Sequence, residues 1–197
     1  MVYHDKDREF EYSAEWYDND YHRHVAPELR VNPGPGNYVQ RDLACLNAMG
    51  IQPGDRILIP GCGGGHNISL ILSTFKDVRI VGFDWSETVL EFVRAAFPSV
   101  TFLRMASVDM EFDREFDRVV AVDFIEHLCG EHYEAFLTDA YNALRPGGTM
   151  GVVPGMTIRP EHIHLLTPGE IYRDMMYAGF QMESRWNGQS VVGRRPE

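Results

Sequence analysis

The sequence predicts an α/β fold, a doubly wound and mostly parallel seven-stranded sheet with an antiparallel C-terminal hairpin strand. Three observations carry that expectation. The apolar run Arg56-Ile57-Leu58-Ile59-Pro60 breaks into the turn Gly61-Cys62-Gly63-Gly64-Gly65 and then into a helical pattern. That is the order of a buried parallel strand feeding a loop that cradles a ligand. Strand-like and helix-like segments then alternate through residue 153, as parallel strands joined by crossover helices must. Two further strand-like runs flank Asn187-Gly188, a two-residue hairpin signal.

The elements follow in order. Residues 1–37 are expected to form an N-terminal lid or cap: they carry charge and aromatics such as Trp16, Tyr17 and Tyr21, then the loop Pro33-Gly34-Pro35-Gly36-Asn37. Residues 38–197 make one domain. Val39, Leu43, Leu46 and Met49 keep helical spacing, and Gly50 stops that helix. After the strand at 56–60, a helix over 66–75 is expected to turn Ile68, Ile71, Leu72 and Phe75 inward. A strand at 78–83 precedes a helix capped by Ser86, with Val89, Leu90, Val93 and Ala96 on one face. Strands at 100–103 and 118–122 come next.

Tyr133, Phe136, Leu137, Ala140, Tyr141 and Leu144 mark the clearest amphipathic helix, ended by Arg145-Pro146-Gly147-Gly148. A strand at 149–153 follows. Thr167-Pro168-Gly169-Glu170 is a capping box with proline at the first helical position, and that helix ends at Gly179. The runs 180–186 and 189–192 form the hairpin.

Composition narrows the function. A chain of 197 residues with 44% hydrophobic content suits one globular domain. No apolar run reaches the roughly 18 residues of a membrane span, and the acidic start from Asp5 to Glu15 is no secretory signal. A cytoplasmic protein with no membrane partner is expected. Cys45, Cys62 and Cys129 are scattered and odd in number, so reduced thiols are expected rather than disulfides. A net charge of −11, with two lysines beside sixteen arginines and no basic tract, opposes a nucleic-acid partner.

The glycine spacing selects the ligand. Glycines at 61, 63 and 65 give G-x-G-x-G, while a dinucleotide fingerprint needs G-x-G-x-x-G and position 66 is histidine. The loop also lacks the Gly-Lys-Ser/Thr ending of a triphosphate cradle. Asp84, about twenty residues on at the end of a strand, stands where an open α/β sheet accepts hydrogen bonds from ribose hydroxyls.

The glycine turn resembles motif I of the class I S-adenosyl-L-methionine-dependent methyltransferases, and the resemblance runs over about residues 55–170. It implies a Rossmann-like sheet and S-adenosyl-L-methionine as cofactor. The backbone of Gly61, Cys62, Gly63 and Gly65 would approach the cofactor, Asp84 would hold the ribose, and Trp85 would stack near the adenine. Met105 and Ala106 align with the segment on the adenine edge, Met105 replacing a usual aspartate. Asp123-Phe124-Ile125-Glu126-His127-Leu128 resembles motif IV, common with Glu-His-Leu in small-molecule enzymes, and lies beside the methionine half. Tyr17 of the lid would contact the same end. Ile59 stands where the family carries an acid; either Asp123 or the lid offsets that loss, or the loop holds its cofactor less tightly than its glycines suggest.

Methyl transfer from a sulfonium needs alignment and desolvation more than acid–base help. Where the acceptor is a hydroxyl or protonated amine, His127, His164 or Asp123 is the candidate base. Glu126, His127, Cys129 and His132 are close in sequence, and His162 and His164 are two apart, yet these spacings match no closed zinc motif and no metal is expected. The expected enzyme methylates an O, N or S atom of a small molecule. Two alternatives stand beside it: a nucleic-acid or protein methyltransferase, and a protein of this fold that binds the cofactor without transferring methyl. Against a nucleic-acid enzyme, Asp123-Phe124-Ile125-Glu126 replaces the Asn/Asp-Pro-Pro-Tyr such enzymes usually show.

Overall fold

A computed structural model describes residues 16, 18, 19, 36–159, 161–183 and 188–197. Helices α1 (Gly36–Ala48), α2 (His66–Thr74), α3 (Glu87–Ala96), α4 (Gly130–Ala143) and α5 (Pro168–Tyr177) alternate with strands. The strands are β1 (Arg56–Ile59), β2 (Arg79–Asp84), β3 (Thr101–Arg104), β4 (Phe116–Val122), β5 (Leu144–Val153), β6 (Gln181–Met182) and β7 (Val191–Arg194). They form one sheet in the order β3-β2-β1-β4-β5-β7-β6. The first five are parallel, and β7 runs antiparallel to both β5 and β6. The β6–β7 register, Gln181↔Arg194 and Met182↔Gly193, is symmetric about positions 187 and 188. Asn187 itself lies outside the described residues.

The sheet is buried on both faces, which is why its strands read as continuous apolar runs. Along β4, Val119 and Ala121 join one core with Leu58, Phe136, Leu137 and Met150. Val120 and Val122 join the other with Ile57, Ile59, Leu46 and Ile71. The side-chain period of two thus splits one strand between two cores. Ile59 is almost fully buried and shares its core with Cys45 and Leu46 of α1 and with Met49 just beyond it. An apolar residue suits that place.

Four local expectations are corrected. The helix α1 begins at Gly36, inside the expected loop; the remainder of that loop lies outside the described residues. In α2, Ile68 and Ile71 turn inward as expected and Phe75 at its C-cap packs part-buried on the same core, but Leu70 joins them in place of Leu72, which is 39% exposed. In α3, Val89, Leu90 and Val93 are buried but Ala96 at the last turn is exposed. The strand β5 starts at Leu144 and passes through Pro146-Gly147-Gly148, with a register shift opposite Phe116 and Arg118. The glycine pair is therefore an irregularity within a strand. The Gly147 N–H reaches the Arg195 carbonyl at 2.9 Å and the Arg195 N–H reaches the Gly148 carbonyl at 2.8 Å, so these backbone groups stay paired.

The caps match their sequence signals. Ser86 Oγ accepts from the Val89 N–H at 3.3 Å. Thr167 and Glu170 close a reciprocal box at the start of α5, and Gly179 follows that helix with φ +101°.

Candidate active site

The strand order reverses between β1 and β4, and the loops leaving their C-terminal ends face one crevice. This is where open α/β sheets bind ligands. Gly61, Gly63 and Gly65 have φ of +52°, +47° and +82°, a region that an L side chain enters only with strain. Two of them also lack space: a Cβ on Gly61 would lie 2.3 Å from the Phe124 ring, and one on Gly65 would lie 2.4 Å from Phe97. Gly63 has no such neighbour, the nearest atom being 3.9 Å away. Its openness is what a loop meant to admit a ligand requires.

Asp84 ends β2 and is buried. One carboxylate oxygen accepts from the Gly63 N–H and the other from the Ser86 N–H, each at 3.0 Å. The carboxylate thus binds the glycine turn to the cap of α3 and retains lone pairs for further donors. Burial pushes its pKa up to about 6, against the pull of those backbone N–H groups. Trp85 follows, 36% exposed. Cys62 is buried, its N–H held by the Phe83 carbonyl at 2.9 Å. Met105 is partly buried against the core, and its N–H goes to the Asp84 carbonyl at 3.1 Å. Ala106 N–H leans on the Asp109 carboxylate at 3.4 Å. Both amides on that edge are therefore engaged within the protein.

Asp123 follows β4 with φ +47°, an uncommon conformation for a residue with a Cβ. Arg41 of α1 closes on it with both terminal nitrogens, at 3.1 and 2.7 Å, and its Nε reaches Asp42 at 2.8 Å. Asp42 is buried and lies 3.3 Å from the His66 ring at the start of α2. This network of Arg41, Asp42 and His66 was invisible in the sequence, since nothing there marks two charged residues of a helix as facing a loop eighty residues away. It supplies a buried carboxylate on the face where Ile59 is apolar.

Beyond Asp123, a 3₁₀ turn over Ile125–His127 buries Glu126 completely. Burial, reinforced by Asp123, pushes the Glu126 pKa up to about 7. The N–H groups of Glu126 and Gly155 are near this carboxylate, but no donor among the described residues makes a hydrogen bond of ordinary geometry to either oxygen. His127 Nδ1 lies 3.0 Å from the Glu161 carbonyl and His162 Nδ1 lies 2.6 Å from the Thr157 carbonyl. A carbonyl only accepts, so both Nδ1 atoms carry the proton and both lone pairs sit on Nε2. Burial lowers the pKa of each ring and favours that neutral form. The two rings meet edge to face at 5.0 Å. His164 is buried, packs edge to face on Tyr133 at 5.0 Å, and donates its N–H to the Glu126 carbonyl at 3.0 Å.

The fold therefore gathers Gly61, Cys62, Gly63, Gly65, Asp84 and Asp123 at one end of the sheet, with Glu126, His127, His162 and His164 beside them. Tyr17 lies outside the described residues. Asp18 is described, and its carboxylate accepts from the Ser86 hydroxyl and from the Thr88 N–H at 3.1 Å, next to Asp84. Among the described residues no helix is long and apolar enough to cross a membrane.

Residues 37–167 match the family model of mycolic acid cyclopropane synthetase. Cyclopropane mycolic acid synthase 1 of Mycobacterium tuberculosis is 32% identical over 127 residues, 62% of this chain and 44% of that one. The chain thus spans about half the length of the curated relatives it matches. Phosphoethanolamine N-methyltransferase 2 of Haemonchus contortus, solved with S-adenosyl-L-methionine, superposes with a TM-score of 0.70 at 18% identity, over 94% of this chain and 60% of that chain. The cyclopropane synthase MmaA2 of Mycobacterium tuberculosis gives 0.64 at 20% identity, over 75% and 62% of the two chains.

Proposed function

Because this chain belongs to the mycolic acid cyclopropane synthetase family, we propose that it is an S-adenosyl-L-methionine-dependent methyltransferase that methylates an O, N or S atom of a small-molecule acceptor. The observation that carries this reading is the union of the glycine turn with Asp84. A buried carboxylate braced at 3.0 Å by Gly63 and Ser86 is preorganised for two ribose hydroxyls.

When bound, the cofactor supplies a methyl group already activated by a positive sulfur. The chain's own task is to hold, orient and dehydrate. Gly61, Cys62, Gly63 and Gly65 bring backbone close to the ligand, Asp84 holds the ribose, and Trp85 with Met105 and Ala106 frames the adenine. Asp123, fixed by Arg41, and Tyr17 of the lid flank the methionine end. The lid assignment for residues 1–37 draws support from Asp18, which docks on the cap of α3 beside Asp84. Where the acceptor carries a proton, His127 accepts it on Nε2, with His164 and Asp123 as the other candidates. Its Nδ1 contact to Glu161 fixes the tautomer this requires.

A second reading is an apolar, lipid-like acceptor. Met156 and Ile158, 58% and 87% exposed in the segment after β5, favour it, as do the mycolic acid names of the relatives.

Isothermal calorimetry with S-adenosyl-L-methionine tests the cofactor reading: micromolar or tighter binding is expected, and no measurable heat sinks it. Transfer of a labelled methyl group to a panel of amines, phenols, carboxylates and unsaturated fatty acids then decides the acceptor. Label found only on a double-bond carbon of the fatty acids, and not as a base-labile methyl ester, would overturn the O, N or S assignment.

A further inference from the structure

We propose that Glu126, His127 and His162 form a mononuclear divalent-cation site whose remaining coordination positions take an oxygen of the methyl acceptor. One ligand atom from each of the three lies within 4.8 Å of the other two. Two imidazoles and a carboxylate are a donor set for divalent iron, cobalt or zinc that leaves positions open.

Three independent features fit a cation rather than simple packing. The Glu126 carboxylate is fully buried and no donor makes a normal hydrogen bond to it among the described residues. An uncompensated buried carboxylate is costly, and a divalent cation is the charge that offsets it. Both histidines give Nδ1–H to backbone carbonyls, at 3.0 and 2.6 Å, the orientation that presents Nε2 to a metal. Position 155 is also kept bare over the cluster: a Cβ there would lie 2.1 Å from Glu126 Oε1 and 3.1 Å from His162 Cε1.

The sequence hid this site because His162 comes from a separate segment, carried to Glu126 by the His164 N–H on the Glu126 carbonyl. A bound cation would acidify an acceptor hydroxyl directly. His127 would then serve as ligand, and proton acceptance would pass to His164 or solvent. The acceptor clause rests on the methyltransferase reading of this crevice, whereas the cation site stands on its own geometry.

The test is a Co²⁺ titration of the chelator-treated full chain, read by visible d–d absorption. Bands saturating at equal molarity are expected. Adding acetohydroxamate, a bidentate oxygen chelate, is expected to shift them, and unchanged bands would refute the open positions. His162→Ala and Glu126→Gln, checked for folding by circular dichroism, are expected to weaken Co²⁺ binding roughly tenfold or more. Unaltered affinity in a folded variant overturns the ligand assignment. Calorimetry with S-adenosyl-L-methionine on the same wild-type sample separates the two readings. Cofactor binding without d–d bands rejects the cation site alone. Bands without cofactor binding reject the methyltransferase reading and leave the cation site supported. The wild-type titration decides even where a variant does not fold.

Discussion

Arg41 holds Asp123 with a two-pronged grip, 3.1 Å from one nitrogen and 2.7 Å from the other. The pair ties the helix before the first strand to the end of the fourth, across the mouth of the crevice. Arg41 is only 12% exposed, whereas Asp123 is 47% exposed. The guanidinium is thus the rigid member, and it fixes a carboxylate whose backbone is already in an unfavourable conformation.

A double-mutant cycle with Arg41→Ala and Asp123→Ala is expected to give a coupling energy of about 1 kcal/mol by urea unfolding. Arg41→Lys should recover little of it, because an ammonium does not reproduce the planar fork. Independent, additive effects of the two substitutions would show that the contact holds nothing together.

Gly61 and Gly63 separate two kinds of constraint. Both sit at positive φ, so alanine at either costs about 1 kcal/mol of backbone strain. Only at Gly61 does the new methyl collide with an aromatic ring, at 2.3 Å from Phe124. Gly61→Ala is therefore expected to lose more stability in chemical denaturation than Gly63→Ala. Equal losses would mean that Phe124 moves aside without cost.

Asp84 predicts a pH dependence of stability. Its folded pKa of about 6 lies above the ordinary value of 3.8, so between those values the folded chain binds more protons than the unfolded chain. Stability then falls as pH rises through that window, by on the order of 3 kcal/mol at full ionisation. Cofactor binding carries the opposite sign, because the ionised form is the better acceptor for ribose hydroxyls. Affinity should weaken as pH drops below about 6. Asp84→Asn is expected to flatten this component of the stability profile and to weaken cofactor binding. An unchanged pH profile by thermal melting, or unchanged cofactor affinity by calorimetry, would remove Asp84 from the ribose.

Gly151 of β5 lies under α1, where a Cβ would meet Met49 Sδ at 2.4 Å and Cys45 Sγ at 2.8 Å. Its φ is not positive, so the demand is for space alone. Gly151→Ala is expected to cost about 1–3 kcal/mol by overpacking. Met49→Ala in the same background should restore part of that loss on denaturant curves; no recovery would place the strain elsewhere.

Much of this molecule was legible from residue order. Two-sided burial writes β4 as a continuous apolar run, capping chemistry marks Ser86 and Thr167, and the Asn187-Gly188 signal agrees with the β6–β7 register. These features are local, so neighbouring residues suffice to encode them. Where local signals competed, the reading slipped. Pro146-Gly147-Gly148 looks like a turn, yet strand pairing with β4 and the contacts of Arg195 hold it within β5.

The glycine turn and Asp84 lie some twenty residues apart on adjacent strands; the alternation of strands and helices set the fold, these two features set the crevice, and the resemblance of the same segments to a methyltransferase family implied the cofactor. The sequence by itself determined those three things, because parallel strand order places successive loops at one edge. Only the tertiary structure decided what surrounds them. Arg41 meets Asp123 across 82 positions, and His162 meets Glu126 and His127 across more than thirty. Such pairs follow from how helices and loops pack on the sheet, and packing leaves no periodic trace in the chain. Burial did the rest: it turned Glu126 from one acidic letter in a motif into an uncompensated carboxylate beside two oriented imidazoles.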